Sequence, residues 1–434
     1  MTYANGAIAE YDYDGAGRLT ALRNLKANRS ALSIFTYTYD AVGNRTQVEE
    51  ANGDVVSYSY DEIRQLTRER RSGANAYDTT YTYDGVGNRV TKEESGALTT
   101  YSYDAANQLL TVEDNVGLTS FSYDANGNTV LELRPNGDRV TYSWDIENRQ
   151  TKVELPASVV NTITLDGDGK RRSIEDSTGL KKLIWDRENI LAELDNANAT
   201  LVAYTLAPET YGNLISQRRS GATSFHHFDG LGSTNKLTDS NAASLVEYLY
   251  RAFGQQTILS GSSANPFTWV GKLGYYRQSD AADFWVRARV VKPSLGRWLS
   301  KHGLLDHLLP THANPALERR PRLSRRRSLR SSLEVVPEHP YGYGENNPIS
   351  LIDPSGQHWI RSPIDGGMYF HLACVDDHTH PNRGPETQPC GGGDPDCEWL
   401  KTLWCLAICL LVCAPIESIP CHIICELLCE GAPV

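Results

Sequence analysis

Through most of the chain, short runs of alternating apolar and polar residues are broken at close intervals by Gly, Asn and Asp. Tyr-x-Tyr-Asp or a near variant recurs, ending at Asp14, Asp40, Asp61, Asp84, Asp104, Asp124 and Asp145. It then degrades to Leu165-Asp166 and Trp185-Asp186. The intervals between these Asp residues run 26, 21, 23, 20, 20, 21, 21 and 20. Tyr81 and Tyr83 stand two apart, so on a strand both project to one face while Thr82 projects to the other. Tyr and Thr favour a pleated, half-buried surface. Asp84 then opens a turn in which its carboxylate accepts backbone N–H groups, and Gly87-Asn88 supplies residues that tolerate positive φ. A second alternating run follows each turn. One unit is thus a β-hairpin of roughly 20 residues that cannot bury its aromatic face alone, so units must stack. The pattern predicts a mainly β fold and excludes a helical solenoid.

Composition adds boundaries. The 434 residues suffice for more than one domain, and 40% apolar with 22% charged residues argues against wholesale disorder. A formal charge of -11 excludes nucleic-acid binding through global electrostatics. No apolar run reaches the roughly 20 residues of a spanning helix, so no stable membrane span is expected. The N-terminus lacks a basic-then-apolar signal pattern and begins inside a repeat, which reads either as a fragment or as a part of something exported. All nine cysteines lie between Cys374 and Cys429, marking a separate C-terminal module.

Further motifs follow in order: Phe228-Asp-Gly-Leu-Gly-Ser233 after His226-His227, Glu247-Tyr-Leu-Tyr-Arg-Ala-Phe-Gly254 and Phe267-Thr-Trp-Val-Gly-Lys272. Then come Trp285-Val-Arg-Ala-Arg289, Gly296-Arg-Trp-Leu-Ser300, Tyr341-Gly-Tyr-Gly-Glu-Asn-Asn-Pro348 and Asp353-Pro-Ser-Gly356. Together with the repeats they resemble the YD repeats and associated core of the RHS family, which also build the shells of teneurins and of the insecticidal toxin-complex cocoon. The resemblance covers residues 11–356. It implies a partial spiral shell: a hairpin array at 1–220, an RHS-associated core at 221–356 and a variable tip at 357–434. It also implies a bacterial surface or exported protein, working with upstream shell repeats or a secretion-system component. At about 4.8 Å per strand, about twenty strands make a ribbon for one circuit with open edges. That size fits the C-terminal part of a larger shell or a degenerate remnant.

Similar proteins cut themselves near D-P-x-G with paired carboxylates, which need to share a proton. Asp353, Asp306 and Arg297 are the candidates here. The chain departs from the family where Val290-Val291-Lys292-Pro293 replaces Y-Y-D-P, where Lys301-His302-Gly303 replaces x-D-P, and where Arg251 replaces Asp. These losses argue against self-cleavage. His226-His227 reads as a strand segment in preference to a ligand pair. An Arg-rich stretch at about 304–340 reads either as a flexible insertion or as an anion-binding run, with no interleaved aromatics to favour nucleic acid.

Two uses of the tip compete. Either the protein is a non-enzymatic scaffold, or residues 357–434 are the effector of a polymorphic toxin. No H-x-E with C-x-x-C is present. His371, Cys374, His378 and His380 are candidate zinc ligands whose spacing fits no common finger, and no cofactor is expected. Cys405, Cys409 and Cys413, and again Cys421, Cys425 and Cys429, form four-residue stripes on two short helices separated by Pro415 and Pro420. An antiparallel helical hairpin would pair Cys413 with Cys421, Cys409 with Cys425 and Cys405 with Cys429. Disulfides, a reduced Cys/Leu core, and a membrane-inserted or metal-binding hairpin remain the alternatives for this Cys-rich module.

Overall fold

The turn at Asp84 shows how one unit closes. Asp84 N–H donates to the Asn88 carbonyl at 2.9 Å, and Gly87 N–H to the Asp84 carbonyl at 3.1 Å. One carboxylate oxygen of Asp84 accepts Val86 N–H (3.0 Å) and Asn88 N–H (2.8 Å), and the other accepts the Asn88 amide at 2.9 Å. Gly87 alone takes positive φ, at 90°, where a Cβ would be strained. The reading of Asn88 as a second positive-φ residue is thereby corrected. What Asn88 contributes is its amide, which also donates to Asn107 of the next turn at 2.9 Å. The register steps from Thr82↔Thr91 to Tyr83↔Arg89, leaving Val90 as a bulge. The same shift recurs at Tyr39, Tyr60 and Trp144.

The computed structural model describes residues 1–301, 339–356 and 360–361. Its main element is one 24-stranded sheet from β1 (Ile8–Tyr13) to β24 (Gln256–Gly261). Each strand pairs antiparallel with its neighbours in sequence. In such a meander the turns after odd-numbered strands share one rim, and these are the Asp turns. The ladder continues through residue 220, where Arg219 pairs with Ala222 across a hairpin.

The ribbon comes round on itself without closing as a barrel. Side chains join its two ends: Asn5 Nδ2 donates to Asp239 O (2.8 Å), Asn24 Nδ2 to Phe228 O (2.9 Å) and Lys236 Nζ to Leu32 O (2.8 Å). Tyr3, Leu32 and Phe225 are buried together across this seam.

The circuit is filled by the chain itself. Residues 265–301 and 339–356 pack on the buried faces of strands far apart in the ribbon. They carry a small sheet of β25 (Tyr276–Arg277), β26 (Phe284–Val286), β27 (Arg289–Lys292) and β28 (Arg297–Trp298). Phe267, Tyr276, Trp285, Val290 and Leu299 share a core with Tyr142, Ile174, Leu183 and Val202. A second core is the filler's own, around Trp269, Tyr275, Trp298 and Tyr343. At roughly 25 cal/mol per Å² such aromatic burial adds to the small cores the ribbon makes for itself, such as that of Leu19, Leu22, Phe35, Tyr37, Val48 and Val56.

Candidate functional site at the chain exit

The motifs that break the repeat pattern are the ones that tie the filler to the rim. Tyr341 Oη donates to Gly127 O (2.8 Å), Asn346 Nδ2 to Gly87 O (2.7 Å) and Arg297 Nη2 to Asn107 O (2.7 Å). His339 Nε2 lies 2.7 Å from Asn88 Oδ1. Three successive Asp turns are thus held by two stretches of filler, around Arg297 and around Tyr341–Asn346. Arg297 also lies between the rings of Tyr103 and Tyr341, 5.0 Å from each centroid. Arg251, replacing Asp in its own turn, bonds Glu94 at 2.6 Å and stacks on Tyr77.

Asp353-Pro354-Ser355-Gly356 is clamped by the β26–β27 hairpin, and just beyond it Ile360–Arg361 pair back antiparallel on Leu351–Ile352. Arg289 Nη2 donates to Asp353 Oδ2 at 3.0 Å, and Arg289 Nε donates to the Gly356 carbonyl. Arg287 donates to the Pro354 carbonyl and to the Leu273 carbonyl, the latter at 3.1 Å. Ser355 Oγ donates to the other Asp353 oxygen at 3.0 Å, and Tyr275 Oη donates to the Asp353 carbonyl at 2.8 Å. Gly356 has φ 71°, and a Cβ there would stand 2.2 Å from Val286 O. Burial pushes the Arg287 guanidinium down to about 10, against the pull of neighbouring Glu188. Beside the clamp lies a cleft of about 340 Å³ lined by Trp185, Glu188, Tyr211, Arg287, Ala288 and Ser355.

Asp353 is therefore a fully engaged, buried carboxylate paired with an arginine. Arg297, named from the sequence, serves the rim; the arginine that reaches Asp353 is Arg289. Arg287 lies in the two-residue turn between β26 and β27, at φ 44°, and Arg289 opens β27, so no strand spacing signalled that both would reach this segment. Asp306 lies outside the described residues, as do His371, Cys374, His378, His380 and all six cysteines of the expected helical hairpin. Among the described residues no group of three or more His, Cys, Asp or Glu is placed to hold a metal. In the same residues no helix is long and apolar enough to cross a membrane.

His226 and His227 sit on β21 (Ala222–Phe228), both fully buried. His226 Nδ1 is 3.3 Å from Thr234 Oγ1, and His227 Nε2 is 2.9 Å from Thr238 Oγ1. The His227 ring meets Tyr3 edge-on across the seam, with centroids 4.9 Å apart. Burial pushes His226 down to about 3 and His227 to about 4, with Lys236 adding to the effect on His227.

The chain is 28% identical over 359 residues to the tRNA3(Ser)-specific nuclease WapA of Bacillus spizizenii, covering 81% of this chain and 12% of that protein. The tRNA nuclease WapA of Bacillus subtilis matches with the same identity and coverage. The chain thus spans about 12% of the length of these relatives. Among solved structures, a TcdB2–TccC3 crystal structure matches with a TM-score of 0.41 and 16% identity, over 82% of this chain and 21% of that one. The Photorhabdus luminescens Tc holotoxin pore matches with a TM-score of 0.40 and 17% identity, over 82% and 20%. The teneurin YD-shell family model matches residues 53–348, most of the ribbon and most of the filler. The chain belongs to the teneurin YD-shell family.

Proposed function

We propose that residues 1–356 act as a non-enzymatic scaffold that ends in a fixed exit, from which the segment after Gly356 is presented. The observation that carries this reading is the Arg287–Arg289 clamp on Asp353–Gly356, which holds the last shell residues rigidly to the filler. The division at 220 is one of sequence character within one scaffold, and 357–434 is the carried tip. Among the described residues the filler occupies the inside of the circuit, so in this reading the scaffold works by its outside and its exit. Its partners are further shell repeats or a secretion-system component, and its setting is the cell surface or the medium. In this reading Asp353 is a structural carboxylate and not half of a proteolytic pair. The test is to compare the full chain with a chain ending at Gly356. Equal thermal transitions and an uncut full-length band after prolonged incubation support the scaffold; a fragment ending near Gly356 overturns the assignment of Asp353.

A second reading is favoured by the names of the WapA relatives, which are nucleases. In it, residues 357–434 are a toxic effector, and the shell only carries them. Expression of the full chain and of the Gly356-terminated chain in a bacterium separates the two. Growth arrest by the full chain alone supports the effector, and equal growth supports a scaffold with an inert tip.

A further inference from the structure

Lys292 is a buried lysine in the filler, with three polar atoms around its ammonium. Glu132 Oε2 lies 3.1 Å from Nζ, Tyr142 Oη 3.2 Å and Asp283 Oδ1 3.6 Å. Glu132 is also held by Arg134 Nε at 2.9 Å, so its negative charge has a second partner. Asp283 Oδ2 and Glu132 Oε2 are both buried without a hydrogen-bond partner. Asp283 and Lys292 face each other at the open end of the β26–β27 pairing, one residue beyond Phe284↔Val291. The backbone ladder therefore holds amine and carboxyl in contact, with nothing between them. Burial favours the protonated carboxyl at Asp283; at Glu132 burial is outweighed by the Lys292 charge, with Arg134 adding to it, so the carboxylate is favoured. Asp283 is 2% exposed and Lys292 8%, so water, which would compete for the carboxyl carbon and solvate the ammonium, has little access to the pair.

A lysine held against a buried carboxyl, with a carboxylate placed to move protons between them, is the arrangement that amide formation requires. The geometry points to an autocatalytic isopeptide bond between Lys292 Nζ and Asp283 Cγ, with Glu132 as the proton carrier. Glu132 takes a proton from the Lys292 ammonium. The free amine attacks Asp283 Cγ, and Glu132 returns that proton to the departing hydroxyl while accepting the second amine proton. One C–N bond forms, one C–O bond breaks, one water leaves, and no oxidant or reductant is consumed. Arg134 holds Glu132 in place, and Tyr142 Oη supports Nζ from the ribbon side. The bond cross-links the two strands of the hairpin that bears Arg287 and Arg289, and so makes the exit clamp covalently rigid.

Intact mass of the purified full chain tests this directly. The expected value is the sequence mass less one water, with a digest yielding a branched peptide that joins the residues around 283 and 292. Asp283→Ala, Glu132→Gln and Lys292→Arg, the last keeping the positive charge, are each expected at full sequence mass. The folded wild-type chain at full sequence mass after prolonged incubation overturns the proposal, whatever the variants do. A water loss that persists in Asp283→Ala, or a branch mapped to Glu132, overturns the assignment to Asp283.

Discussion

A single carboxylate organises each Asp turn, and the same carboxylate makes the turn sensitive to substitution. Asp84→Ala removes three hydrogen bonds to Val86 and Asn88 and is expected to cost about 1–2 kcal/mol, read as a lower denaturant midpoint at unchanged slope. The buried histidines make stability depend on pH. Their folded pKa values, about 3 and about 4, lie below the ordinary 6.5 because burial disfavours the charged ring. The unfolded chain therefore binds protons first as pH falls, so their contribution is complete above 6.5 and is lost on descent toward 4. Between pH 7 and 5 the pair is expected to cost about 4 kcal/mol of stability, at about 1.4 kcal/mol per unit per group. Urea midpoints at the two pH values measure this. A His226→Gln/His227→Gln chain that loses as much stability over that range as wild type would refute the assignment.

At the scale of elements, the turn after β23 (Ser244–Tyr250) lacks its Asp; the Glu69 carboxylate accepts the Ala252 N–H at 3.0 Å instead, and packing on Trp269 does the rest. Gly254 has φ 89°, and a Cβ there would come within 2.5 Å of the Trp269 ring. Gly254→Ala is expected to cost more than about 2 kcal/mol, combining backbone strain with overpacking, whereas Gly53→Ala, with φ 84° and open space, carries the strain alone. The difference between their thermal midpoints isolates the packing. At the exit, Arg289→Ala strands the buried Asp353 carboxylate and is expected to cost about 3–5 kcal/mol, with partial recovery in Arg289→Ala/Asp353→Asn. A double variant no better than the single one would count against the ion pair. These elements also mark the limit of what the sequence discloses. The hairpins were legible because Tyr81, Tyr83 and Asp84 carry a local, periodic signal. The filler was not, because Trp269 against Gly254 and Asn346 against Gly87 are contacts between distant residues that no spacing reveals. The clamp was half legible: Asp353 stood out, whereas Arg289 required the register of a two-stranded hairpin.

For the whole molecule, the filler changes how the repeat array behaves. A solenoid whose units touch only their neighbours loses structure unit by unit. Here Tyr142, Leu183 and Val202 share one core with Phe267 and Trp285, and Asn107, Gly87 and Gly127 are bound to the filler by Arg297, Asn346 and Tyr341. Unfolding is therefore expected as a single cooperative transition across residues 1–356, with amide exchange in β4 (Arg45–Glu50) and β16 (Arg171–Asp176) governed by the same opening event. Exchange that proceeds inward from one end of the ribbon would contradict this. The order of the parts along the chain carries a consequence for biosynthesis. A ribosome delivers the whole aromatic ribbon before it delivers Trp269, Trp298 or Tyr343. At about 5–20 residues per second, the inward faces of two dozen strands wait for seconds without their complement, so the nascent chain is a substrate for holding chaperones until its last hundred shell residues emerge.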